Sequence, residues 1–315
     1  MVLRALGLGD LLTGLPALRA LGDAFPSYRR VLATTAGVAP LALHAGAAED
    51  IFVTEPLASL AWTGTPPDVA VNLHGRGPQS HRILQATAPR RLVAFANAGA
   101  GITGPGWRED EHEVHRWCRL LTESGIPADP TGLDIDPPTV DMPAPAPGAT
   151  LLHPGAASPS RRWPVERWAA VARAEAGAGR PVIVTGGPDE VELAKAVAAG
   201  AGLPPPAVWA GSTGVLELAA MVAGAGRVVC GDTGVAHLAT ALGTPSVVLF
   251  GPVSPERWGP PPDRPQHVAL WAGRAGDPHG RTVDPGLLEI DVDDVTGALH
   301  GLSAGAAAGR RFAQG

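Results

Sequence analysis

The sequence predicts an α/β protein of two domains, each a parallel sheet covered by helices. Three observations carry that expectation. Short β-rich apolar runs alternate with longer amphipathic segments, which is the pattern of βαβ units. The alternation stops in the proline-rich stretch LDIDPPTVDMPAPAPGA, residues 133–149, and then resumes. The chain has 315 residues, whereas single hydrophobic cores rarely grow past about 250–300. We therefore expect a Rossmann-like domain over 1–140, a linker over 141–149, a second Rossmann-like domain over 150–302 and a flexible tail over 303–315.

In the first half, VLRAL reads as a strand and LLTGLPALRAL as the helix after it. VLATT, DVAVNL and RLVAF supply further strands, and a helix runs from about Glu109 to Ser124. The second half opens with the strand of TLLHPG and the helix PVERWAAVARAEAG, where Pro164 suits a helix start. The strand PVIVTGG and the helices DEVELAKAVAAG and VLELAAMVAGA follow. RVVCGD, VAHLATALG and SVVLFGP then read as strand, helix and strand, with DVDDVTGALHGL as the final helix. With 41 Gly and 33 Pro in the chain, these assignments rest on apolar periodicity more than on propensity.

A formal charge of −6 argues against nucleic acid as the partner, which would select a clustered basic face. Acidic side chains also outnumber basic ones in the N-terminal half, so membrane association is expected to be peripheral at most. Cys118 and Cys230 stand far apart, suggesting neither a disulfide framework nor a zinc ribbon. Asp10 interrupts the apolar N-terminus before a secretory signal could form, and no run reaches the roughly 18 apolar residues of a spanning helix. The expected setting is a cytoplasmic monomer.

Candidate chemistry lies at the joints between strands and helices. In CGDTGVAHLATALGTP, residues 230–245, a buried strand ends at Asp232 and a helix starts near Thr233 and Gly234. Unpaired amides and the helix dipole favour an anion there, and His237 projects from the first turn. The plain alternative is an N-cap with a surface histidine. HPGAASPSRRWPVERW, residues 153–168, supplies Ser158, Ser160, Arg161 and Arg162 in a small-residue loop suited to phosphate oxygens. Two anion-suited loops in one domain point to a diphosphate ligand.

RALGLGDLLTG, residues 4–14, has Gly7 and Gly9 of a dinucleotide fingerprint, but Leu12 takes the third position. A carboxylate at Asp10 would repel a pyrophosphate, so Asp10 is read as a general base, with a simple capping aspartate as the alternative. NLHGRGPQSHRIL, residues 72–84, clusters His74, Arg76, Gln79, Ser80 and His81 as a substrate-loop candidate beside the reading of a polar turn. HEVHRWC, residues 112–118, lacks the ligands of a metal site, and the DID of residues 134–136 lies in the proline-rich stretch, so no metal is expected.

Together, GLGDLLTGLPALRAL, HPGAASPSRRWPVERWAAVA, VIVTGGPDEVELA and CGDTGVAHLATALGTPSVVLFGPVSPERWGP resemble glycosyltransferase family 9, which includes the ADP-heptose:lipopolysaccharide heptosyltransferases. The resemblance implies a GT-B fold of two facing Rossmann-like domains, and inverting, metal-independent transfer of a heptose-like sugar from a nucleotide-diphosphate donor, with ADP as the expected nucleotide. By motif match it implies that Asp10 is the base and that Ser158, Ser160 and Arg161 contact the donor diphosphate. Asp232, Thr233, Gly234 and His237 match the D-T-G-x-x-H donor block, and Glu190 is placed as a ribose ligand. His74, Arg76 and Gln79 remain acceptor-binding candidates. The acceptor is expected to be small or neutral, such as a glycoside or natural-product intermediate, because the N-terminal half lacks a basic patch. A nucleotide-sugar 2-epimerase of similar architecture, acting on donor alone, is the alternative enzyme. A non-catalytic nucleotide-binding protein is the other.

Overall fold

The structure, a computed structural model, describes residues 1–142 and 144–312, with side chains up to residue 302. The chain divides into two compact units, Met1–Ile135 and Asp136 onward. The expected linker thus belongs to the second unit, and the boundary falls a few residues earlier than its composition suggested.

The first unit runs β1 (Val2–Leu3), α1 (Leu8–Ala24), β2 (Val31–Thr34), α2 (Ala39–His44), β3 (Asp50–Val53), β4 (Val69–Asn72), α3 (Gln79–Gln85), β5 (Arg91–Val93) and α4 (Glu113–Glu123). Its five strands are all parallel in the order β3-β2-β1-β4-β5. Register is set by Val2, which lies opposite Leu32 on one side and Val71 on the other. The chain leaves β1 towards β2 and later returns to β1's other flank with β4. The order therefore reverses between β1 and β4, and in open parallel sheets ligands bind beyond the carboxyl ends of the strands at such a reversal.

The second unit runs β6 (Thr150–His153), α5 (Val165–Gly177), β7 (Val182–Val184), α6 (Val191–Ala201), α7 (Val215–Gly224), β8 (Arg227–Gly231) and α8 (Gly234–Ala241). It continues through β9 (Ser246–Phe250), α9 (Pro255–Trp258), β10 (His267–Trp271), α10 (Pro285–Glu289) and α11 (Val292–Phe312). The parallel order is β10-β9-β8-β6-β7, with the reversal between β6 and β8 and His153 paired with Cys230. Leu152, Val229, Val247 and Leu249 from the sheet pack with Trp168, Val171, Val197 and Leu287 from the helices. Such burial, at about 25 cal/mol per Å² of apolar surface, is the main stabilising contribution.

Two parallel-sheet α/β units bear out the expected fold class. α11 continues as helix to Phe312 across most of the expected tail, whose last residues, 313–315, lie outside the described residues. No helix among the described residues is long and apolar enough to cross a membrane.

Candidate functional site

In the first unit the joint after β1 carries Asp10. Gly7 is the N-cap of α1 and Asp10 stands three residues on, where its Oδ2 accepts from the Gly7 amide at 3.2 Å. Asp10 is thus not itself the N-cap, although it closes the cap from within the first turn. Its side chain remains partly exposed, with Oδ1 at 4.0 Å from the Arg4 guanidinium. His74, two residues beyond β4, comes from the other side of the sheet reversal, and its amide donates to Asn72 Oδ1 at 2.9 Å. Burial lowers the His74 imidazole below its usual range, the positive charge of Arg4 lowers it further, and Asp10 opposes both. Asp10 and His74, chosen separately in the sequence, therefore meet at one edge.

The remaining members of that candidate loop divide. Gln79 opens α3. Arg76 makes an exposed ion pair with Glu109 at 2.6 Å. Ser80 and His81, expected in a polar substrate loop, are instead buried. His81 Nε2 contacts the Phe95 carbonyl at 2.8 Å and Asn72 Nδ2 contacts Ser80 Oγ at 2.9 Å, because α3 begins at Gln79 and turns both side chains into the unit.

In the second unit both expected anion loops flank the reversal between β6 and β8. The loop after β6 carries Ser158, Ser160 and Arg161, and the joint after β8 carries Asp232, Thr233 and Gly234. The two are in contact: Arg161 Nη1 lies 3.4 Å from Asp232 Oδ2. Gly231 permits this approach, since a Cβ there would sit 3.3 Å from the Arg161 carbonyl oxygen. Burial raises the Asp232 carboxyl above its usual range, and the Arg161 charge opposes the shift. Thr233 is the N-cap of α8, with Oγ1 accepting from the Val235 amide at 3.3 Å, so the capping alternative holds for this residue. His237 packs edge-on against Trp258, the ring centroids 5.8 Å apart.

Ser158 and Ser160 are buried, with their hydroxyls 3.0 Å apart. Ser158 Oγ donates to the Gly280 carbonyl at 3.1 Å, and the Ser160 amide donates to the same oxygen at 3.2 Å. The Ser158 hydroxyl and the Ser160 amide thus fasten the loop to residue 280. Glu190 Oε2 accepts from the Gly187 amide at 2.8 Å. It reaches across to the loop after β6, where a Cβ on Gly155 would lie 2.1 Å from the carboxylate.

Sequence reasoning passed over Arg4 and His153. Arg4 sits within VLRAL, where a charge in an otherwise apolar strand was the available signal. His153 ends β6, with Nδ1 at 3.0 Å from Thr185 Oγ1 and Nε2 at 3.8 Å from Glu190 Oε2. Burial lowers its imidazole, and Glu190 opposes that shift.

Among the described residues no group of three or more His, Cys, Asp or Glu side chains could hold a metal ion. In HEVHRWC, His112 caps α4 and its ring packs against His115. The Cys118 thiol is pushed up by burial to about 12.

Residues 107–281 match the model of Glycosyltransferase family 9 (heptosyltransferase). The chain is 31% identical over 125 residues to lipopolysaccharide heptosyltransferase 3 of Escherichia coli. That match covers 39% of this chain, and the chain spans only 36% of the relative's length. Among solved structures, a family 9 glycosyltransferase from Veillonella parvula superposes with a TM-score of 0.77 at 19% identity, covering 96% of this chain and 95% of that one. The E. coli ADP-heptose lipopolysaccharide heptosyltransferase II superposes with a TM-score of 0.75 at 18% identity, covering 96% and 97%. The fold is therefore that of the GT-B heptosyltransferases.

Proposed function

The chain belongs to glycosyltransferase family 9, the heptosyltransferase family, and from that premise we propose that it transfers a heptose-like sugar from an ADP-linked donor to an acceptor hydroxyl, with inversion and without a metal ion. The observation that carries this reading is the pair of loops at the sheet reversal of the second unit, joined through Arg161 and Asp232. Arg161 offers a guanidinium fork and α8 the positive end of its dipole, both suited to a diphosphate. The nucleotide assignment draws support from the relatives, one of which is named for ADP-heptose.

In the proposed reaction Asp10 removes the proton from the acceptor hydroxyl. The acceptor oxygen then forms its bond to the anomeric carbon as the bond from that carbon to the diphosphate oxygen breaks, and ADP departs with the electron pair. Attack opposite the leaving group inverts the anomeric centre. Charge growing on the diphosphate is met by Arg161 and the N-terminus of α8, groups already oriented before the reaction. Glu190 is assigned to the ribose, Ser158 and Ser160 to holding the diphosphate loop in shape, and His237 to the donor side. His74, Arg76 and Gln79 are assigned to the acceptor.

The test is ADP release from ADP-heptose in EDTA, offered with a lipopolysaccharide core oligosaccharide and with a simple alkyl glycoside. Transfer to either, with inverted anomeric configuration by NMR, supports the reading, and the preferred acceptor decides between a lipopolysaccharide-like and a small neutral substrate. Turnover of a nucleotide sugar without any acceptor, giving an epimer, would replace it with the epimerase alternative.

A further inference from the structure

Arg4 is the most enclosed charge in the first unit, with a fully buried side chain at the end of β1. A guanidinium stays charged at ordinary pH, so enclosing it is unfavourable unless its donors and charge are matched. Here its donors reach separate segments. Nε donates to the Asp10 main-chain carbonyl, Nη1 to the Leu73 carbonyl just past β4, and Nη2 to Thr13 Oγ1 at 3.0 Å. Thr13 Oγ1 in turn lies 3.0 Å from the Gly9 carbonyl oxygen and 3.1 Å from that of Asp10.

The charge is balanced from two sides. Asp10 Oδ1 stands 4.0 Å from Nη2 and Glu113 Oε1 stands 3.8 Å from it. Glu113, buried on α4, also accepts from Trp117 Nε1 at 2.8 Å and pairs with Arg116, while the Arg4 guanidinium lies over the Trp117 ring at 4.9 Å. The sequence makes room for this arrangement. A Cβ on Gly14, in the second turn of α1, would lie 2.7 Å from Arg4 Nε.

We propose that Arg4 is a positioning residue for the proposed transfer: its buried fork locks the first turn of α1 to the end of β4, holding the Asp10 carboxylate at the sheet reversal and its charge against His74. This rests on the reading of Asp10 as the base. The groups bearing on His74 are Arg4, just past β1, and Asp10 from α1, with Glu113 and Arg116 of α4 behind Arg4. The Nδ1 atom of His74 is buried without a hydrogen-bond partner in the structure, so its protonation reports directly on that charge.

The experiment compares Arg4→Lys, Arg4→Met, Gly14→Ala and Asp10→Asn in the full chain by two readouts. The first follows the His74 ring by NMR as pH is varied. Arg4→Met is expected to raise its titration midpoint, Asp10→Asn to lower it, and Arg4→Lys, which keeps the charge, to leave it near the wild-type value. The second is ADP release from ADP-heptose with core oligosaccharide. Arg4→Lys and Gly14→Ala are expected to lower kcat at least tenfold while leaving ADP affinity unchanged. Alanine is a better helix former than glycine, so a loss in Gly14→Ala does not come from weakening α1. If Arg4→Met does not fold, Arg4→Lys and Gly14→Ala carry the test. Wild-type kcat in both, or a His74 midpoint unmoved in folded Arg4→Met, would overturn the proposal. Wild-type turnover in Asp10→Asn would instead overturn the assignment of the base, with the His74 titration still reporting whether Arg4 sets the local charge.

Discussion

Asp10 combines two roles that a sequence does not separate, closing the first turn of α1 and presenting a partly exposed carboxylate at a sheet reversal. Because a positioned base contributes about 10² to 10⁴ in rate, Asp10→Asn is expected to lower kcat by that factor and to leave ADP affinity intact. Steady-state kinetics beside calorimetry check the split, and equal loss of both would count against a base. At the donor loops, removal of a charged hydrogen-bonding partner is worth about 1.5–3 kcal/mol, so Arg161→Ala should weaken ADP binding about 10- to 100-fold. The placement of Asp10, Arg161 and the Asp232 block at strand-to-helix joints was legible because they fall in short polar interruptions of apolar runs. Ser80 and His81 were misread because the helix that buries them starts inside a segment rich in glycine and polar residues.

His153 makes a pH prediction. Its native imidazole is held below the ordinary value of 6.5 by burial, so between these two values the unfolded chain binds the proton that the native chain refuses. Its contribution to stability is therefore complete above about pH 6.5 and is lost as pH falls below it. His74 acts in the same direction. Urea unfolding at stepped pH should show this decline, and His153→Asn should make the profile shallower. A profile of unchanged slope in that variant would remove His153 as a source.

The strand-to-helix joints of the second unit act as a set. The glycine at 155 lets the Glu190 carboxylate lie on the loop after β6, and the one at 231 lets that loop meet the end of β8. Gly155→Ala must therefore displace Glu190 and, if Glu190 holds the ribose as proposed, is expected to weaken ADP binding about tenfold through loss of that charge-assisted hydrogen bond. In a Glu190→Ala background the same substitution should add little. Full additivity in that double-mutant cycle would show that the two act independently. The helices α1, α5, α6 and α8 were readable from apolar periodicity, and the strands β6, β8 and β9 from continuous apolar runs. α2 and α9 each contain a proline and are too short to show a helical period, and β3 has only Ile51, Phe52 and Val53 as an apolar run between acidic residues. α1 also runs through Pro16, which sequence rules treat as a helix breaker.

For the molecule as a whole, the repeated alternation and the proline-rich interruption were enough to anticipate two parallel-sheet units. The strand orders were not readable, because they depend on which flank of β1 or β6 the returning chain takes. Those orders give the candidate residues their significance, since the reversals select the edges where Asp10 and His74, and separately Arg161 and Asp232, collect. The most direct measurement is a calorimetric titration of ADP, UDP, GDP and dTDP into the full chain in EDTA, repeated with Arg161→Ala. We predict selective binding of ADP that persists in EDTA and weakens in the variant. Preference for another nucleotide, or no binding by folded protein, would contradict an ADP-linked donor held by the loops after β6 and β8.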